Sequence, residues 1–148
     1  MLSVIIDARS QAEGLPALLS QLTAGAVDGL VRQVLIVAAD GQPGIGDLCE
    51  DMGAEAHPTI EAAGAAARAE QLMVLPADFR LRDGWIRSVG DYLTRSAEPA
   101  VVAGLAEGGL FSRRPFGVLL ERRRLEGRRG ADLQRLRREL GLRARRVG

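Results

Sequence analysis

Residues Leu72–Phe79 read LMVLPADF, an apolar run closed by a proline and followed at once by Ala77 and Asp78. A run of this length between polar residues predicts a strand buried on both faces, as in a parallel sheet. Open α/β sheets bind their ligands just outside the carboxyl ends of the strands. Asp78 stands at such an end, so it is the first residue with a claim to chemistry.

Working outward, short β-like runs alternate with helical patterns. Leu2–Ile6 predicts a first strand, and Gln11–Thr23 a helix with Leu15, Leu18, Leu19 and Leu22 on one apolar face. Pro16 is tolerated within a first turn, where its missing N–H breaks no hydrogen bond. Val31–Ala38 predicts a second strand, Asp40–Gly44 a turn, Ile45–Met52 a short helix and Ala54–His57 a small strand. Thr59–Glu70 is an alanine-rich helical stretch whose small residues permit close approach to a sheet. Beyond Asp78, Asp83-Gly84 opens a helix through Trp85, Val89 and Leu93, and Pro99–Leu105 predicts another strand. Asp132–Leu140 carries Leu133, Leu136 and Leu140 on one side, with Asp132 placed to cap the helix. This order predicts an α/β fold built on a mostly parallel sheet flanked by helices. We expect one domain over residues 1–148.

Composition sets further bounds. The chain has 148 residues, 47% hydrophobic but only 3% aromatic, so its core must be aliphatic. No apolar run approaches the roughly 18 residues of a bilayer span. The strand-like start lacks the basic segment of a secretory leader. Cytoplasmic residence is expected, with peripheral attachment to the inner membrane face as the alternative. Cys49 is the only cysteine, which excludes an internal disulfide. With no lysine present, Schiff-base chemistry and a P-loop are excluded as well. The formal charge of +1 hides an asymmetry. Residues 1–112 hold 7 Arg and 15 acids, net −8, whereas 113–148 hold 13 Arg and 4 acids, net +9. The arginine-rich third is expected to pack on the domain or extend from it. Its candidate partners are a diphosphate, an anionic surface, a protein or the chain's own acidic body. Without interleaved aromatics or a recognised motif, nucleic acid is disfavoured.

The segments SVIIDARSQAEGLPALLSQL, VRQVLIVAADG and GAAARAEQLMVLPADFRL, together with GLFSRRPF and ADLQRLRRELG, resemble a family 2 glycosyltransferase. That resemblance implies the GT-A nucleotide-sugar-binding fold, Rossmann-like, over most of the chain, and allows the Pro99–Leu105 strand to be antiparallel. It implies a donor nucleotide sugar or nucleoside diphosphate and a divalent cation, Mg²⁺ or Mn²⁺, held at Asp78. Pro76-Ala77-Asp78 keeps the final carboxylate of the family's metal motif. Asp7, Asp40 and Gly41 fall where the family binds the nucleoside, and Glu107 is the acid that could replace its catalytic base. Several positions depart from the pattern. Asp7-Ala8-Arg9-Ser10-Gln11 stands for Pro-Thr-x-Asn-Glu, Ala38-Ala39-Asp40-Gly41 for Asp-Gly-Gly-Ser, and Arg129-Gly130 for an acidic pair.

Each of these residues also has a plainer reading. Asp78 and Asp40-Gly41 serve equally as turn residues. His57 and Cys49 read as structural, and an arginine run is usually a solvated face. Three functions therefore compete: an active glycosyltransferase, a catalytically degenerate fold acting as a binding or regulatory module, and a nucleotidyltransferase. The last wants a glycine-rich first loop ending in Arg and Lys, which Asp7–Gln11 lacks.

Overall fold

A computed structural model describes residues 1–105, 115–141 and 146–147. Seven strands form one sheet: β1 (Leu2–Asp7), β2 (Val31–Val37), β3 (Glu55–His57), β4 (Gln71–Pro76), β5 (Ala100–Ala103), β6 (Phe116–Glu121) and β7 (Arg146–Val147). Their order is β3-β2-β1-β4-β6-β5-β7. Strands β1 to β4 are mutually parallel where they pair, β6 runs antiparallel to β4 and β5, and β7 lies parallel to β5. The fold is α/β and mostly parallel, as expected.

Both faces of the sheet are covered, which explains why its central strands are apolar without alternation. Val4 and Ile6 of β1 face helices α1 (Leu15–Val27), α2 (Ile45–Met52) and α4 (Trp85–Arg95). Ile5 faces the other way, toward α3 (Ile60–Ala66), a 3-10 turn at Arg122–Leu125 and α5 (Leu133–Glu139). Leu125, Ala131, Leu133 and Leu136 are buried there, so the described part of the arginine-rich third packs on the sheet.

Three local outcomes differ from expectation. Helix α1 starts at Leu15 rather than Gln11 because Gly14 takes a left-handed conformation, leaving residues 8–13 as a loop. Pro16 falls in the first turn, as expected. Helix α3 begins on its Thr59 cap but stops at Ala66, well short of Glu70. The next amides find other acceptors: Arg68 N donates to Gln33 Oε1 at 2.9 Å and Ala69 N to Ser3 Oγ at 3.2 Å. Side-chain acceptors thus compete successfully with the helix ladder.

The third difference concerns strand direction. The resemblance allowed Pro99–Leu105 to be antiparallel; β5 does pair antiparallel with β6, but it points the same way as β4, and the strand reversed against the parallel set is β6. The sequence reading treated Phe116–Glu121 only as part of the arginine-rich region. Its strand sits between β4 and β5 through Gly117, where an added Cβ would meet Leu75 Cδ2 and lie 3.0 Å from Val74 O.

Candidate functional site

The carboxyl ends of β1 and β4 open into a cavity of about 620 Å³. Asp7, Ser10 and Gln11 of the first loop line one side, and Pro76, Ala77 and Asp78 line the adjoining strand end. Leu105, Pro115 and Phe116 close a second side, and Asp132, Leu133 and Gln134 at the start of α5 close a third.

The turn that presents Asp78 is firmly anchored. Ala77 N donates to Asp7 O at 3.2 Å, and Phe79 N to Pro76 O at 3.1 Å. Ala77 and Phe79 are buried, at 1% and 0% exposure, while Asp78 between them is exposed. Buried neighbours on both sides fix the backbone, so the carboxylate projects from a rigid point. Among the described residues Asp78 makes no hydrogen bond.

Asp7 is in a different state. Its carboxylate accepts from Arg9 Nε and Nη2, both at 3.0 Å, and from the Arg9 amide at 3.2 Å. This two-point geometry is the strong form of the arginine–carboxylate pair. Arg9 Nη2 also donates to Ala131 O at 3.2 Å, tying the first loop to the loop before α5. The hydrogen bond to Asp7 raises the Arg9 pKa, with a further contribution from the Asp132 charge. Asp132 is occupied too: its side chain accepts from Arg135 N at 2.8 Å and caps α5, as the sequence predicted.

Asp40 and Gly41 lie elsewhere, exposed on the turn after β2 and outside the cavity lining. Gln42 holds that turn, accepting from Ala39 N at 2.9 Å and donating to Ala8 O at 2.8 Å. Glu107 lies outside the described residues. Of the sequence candidates, the fold brings Asp7 and Asp78 together and adds Asp132, Ser10, Gln11 and Phe116, which sequence reasoning missed. The Asp7–Arg9 pair had a visible signal, because i and i+2 side chains at a strand end share a face. No local signal could bring Asp132 to Asp7, 125 positions away.

Among the described residues, no cluster of three or more His, Cys, Asp or Glu side chains could hold a metal by itself. The cavity offers hard oxygen donors, with Asp78 the one carboxylate not already engaged in a described contact. Magnesium is commonly bound by one or two carboxylates, completed by phosphate and water. The donor set fits a cation shared with a ligand's phosphates.

No protein-family model matches the chain, and no curated protein matches it. Solved structures do. Mannosyl-3-phosphoglycerate synthase from Rubrobacter xylanophilus superposes with a TM-score of 0.56 and 20% identity, over 70% of this chain and 40% of that one. The same architecture recurs in glucosyl-3-phosphoglycerate synthase from Mycobacterium tuberculosis, solved with Mn²⁺, UDP and glucosyl-3-phosphoglycerate (TM-score 0.55, 14% identity, 74% and 45% covered). It recurs again in 4-diphosphocytidyl-2C-methyl-D-erythritol synthase from Anaerococcus prevotii (TM-score 0.60, 12% identity, 99% and 86% covered). The fold is GT-A-like. This GT-A-like chain spans 40% and 45% of the two sugar-phosphoglycerate synthases but 86% of the erythritol synthase. No described helix is long and apolar enough to cross a membrane.

Proposed function

We propose that this chain is a nucleotide-sugar-dependent glycosyltransferase whose donor diphosphate sits in the carboxyl-edge cavity with a divalent cation at Asp78. The observation that carries this reading is the anchored turn that projects Asp78 into a cavity of about 620 Å³ at the strand ends. A bound Mg²⁺ or Mn²⁺ would stabilise the charge that develops on the departing diphosphate. Asp78 would fix the diphosphate's position, and the Arg9-locked first loop would form the floor beneath the nucleoside through Ser10 and Gln11. Asp7, already neutralised by Arg9, would act in shaping that floor rather than as a second metal ligand. Glu107 is the proposed acceptor-side base; it belongs to the segment whose flanks, Leu105 and Pro115, both line the cavity.

A second reading is a binding or regulatory module without turnover. It is favoured by the commitment of two of the three cavity carboxylates, Asp7 to Arg9 and Asp132 to the α5 cap. The overlap in fold with a 4-diphosphocytidyl-2C-methyl-D-erythritol synthase adds a cytidine nucleotide such as CTP to the ligands worth testing.

Calorimetry with UDP-, GDP- and TDP-sugars and with CTP, each with and without Mn²⁺, tests the proposal. Metal-dependent heat that disappears in Asp78→Ala is expected, and silence from every nucleotide would sink it. Sugar-nucleotide transfer or hydrolysis abolished by Asp78→Asn would rule out the module without turnover. Nucleotide binding without any turnover would favour it.

A further inference from the structure

A second concavity, of about 500 Å³, lies on the far side of the α5 entry loop, lined by Gly127, Arg128, Arg129, Ala131, Arg135, Leu136 and Glu139. We propose that it binds a small phosphate-bearing molecule, with Arg129 and the outer edges of Arg128 and Arg135 as donors.

Three features support this assignment. The first is charge: Glu139 is the one acid among the described lining residues, against three arginines. A surplus of guanidinium groups in a hollow concentrates anions more effectively than the same groups on a convex surface.

The second is preorganisation. Glu139 accepts from Arg128 Nη1 at 2.6 Å and from Arg135 Nε at 2.9 Å, clamping the two side chains together. Arg128 Nε also donates to Arg124 O, and Arg135 Nη1 to Arg129 O at 3.5 Å. Immobilising a free arginine is entropically costly, and for Arg128 and Arg135, though not for the exposed Arg129, part of that cost is already met before a ligand arrives. The Glu139 carboxyl is held below its ordinary range by Arg135 and then Arg128, which keeps the clamp charged.

The third feature is unused donor capacity. Each guanidinium carries five N–H donors, and the described contacts of Arg128 and Arg135 leave both Nη2 groups without a partner. The Arg129 side chain has no described partner at all, although its backbone is fixed by Arg129 N donating to Gly127 O at 3.2 Å. Planar forks with fixed orientation suit phosphate oxygens. A hollow of this size accommodates a small metabolite rather than a flat surface.

The test uses the full chain in metal-free buffer with EDTA, which disfavours cation-dependent binding in the carboxyl-edge cavity. Inorganic pyrophosphate and glycerol phosphate are titrated and followed by calorimetry and by amide shifts in NMR, against ionic-strength-matched sodium chloride. Saturable binding is expected. Arg129→Ala should weaken it about tenfold, the size of one lost charge-assisted contact. Arg135→Lys, which keeps charge but loses the fork, should weaken it less. Arg138→Ala, a charge-matched change outside the concavity, should leave affinity within about twofold, as should Asp78→Ala. The assignment is overturned by no saturation beyond the salt control, by equal losses in Arg129→Ala and Arg138→Ala, or by loss in Asp78→Ala. Sedimentation with phosphatidylglycerol vesicles but no pyrophosphate binding would also overturn it, identifying a membrane contact instead. Because no nucleotide or metal is used, the outcome is independent of the proposed transferase activity.

Discussion

The two sides of the α5 entry loop carry opposite chemistry. Toward the sheet edge the loop helps enclose Asp7, Asp78 and Asp132; away from it, the same loop and helix gather Arg128, Arg129 and Arg135. On both sides most charges are already spoken for. Arg9 holds Asp7, Arg135 N satisfies Asp132, and Glu139 clamps two arginines. Elsewhere Arg122 pairs with Glu70 at 2.9 Å and Arg123 with Glu121 at 3.0 Å. Most of these pairs form within one part of the sequence; among the described residues only Arg122–Glu70 joins the basic part to the acidic one. What remains for a ligand is the residue each side leaves over: Asp78 on one, Arg129 on the other.

The most severe way to break this contrast is Asp78→Ala. We expect loss of metal-dependent nucleotide binding with the melting curve essentially unchanged, since the side chain is exposed and makes no described contact. Calorimetry and thermal melting of the same sample check both halves. Gly117→Val attacks the scaffold between the two sides. Its Cβ would crowd Leu75 and Val74, and we expect a loss of about 1–3 kcal/mol, read from urea unfolding. The Arg9–Asp7 pair comes next. A double-mutant cycle with Arg9→Met and Asp7→Asn should return a coupling of about 1 kcal/mol, since both side chains are only partly exposed, 29% and 16%.

A smaller effect belongs to the arginine side. Because Glu139 titrates below its ordinary value, its pairing contributes stability at neutral pH and loses it as pH falls through the folded value. The melting temperatures of wild type and Glu139→Gln should therefore differ most near neutrality and converge in acid. Smallest is Cys49, whose thiol burial pushes up. Its alkylation by iodoacetamide near pH 8 should run several-fold slower than that of a free thiol.

The sequence made some elements legible and concealed others, for physical reasons. LSVII and LMVLP announce buried parallel strands because both faces are covered, and IGDLCEDM matches α2 at both ends. Ser3 and Gln33 are polar intrusions in β1 and β2, and only in the fold do they become acceptors for Ala69 N and Arg68 N, ending α3 early. Strand β6 was hidden because GVLL is flanked by arginines and its place between β4 and β5 depends on partners 44–50 and 13–19 positions back. At the site, Asp78 was legible from strand-end position alone. The engagement of Asp132 with the cavity arises from packing between distant segments, which no spacing rule encodes.

The position of β6 also dictates an order of assembly. Strands β1 to β4 can pair with one another as soon as they exist, but β5 has no neighbour on the β4 side until residues 116–121 arrive to fill the slot. A nascent chain that has reached Ala103 therefore leaves β4 open on one side and β5, whose two partners both come later, open on both, and an open apolar edge is a template for pairing with another chain. The inner gap of the sheet is thus closed by the strand whose sequence advertises itself least, and β7 then adds at the edge beyond β5.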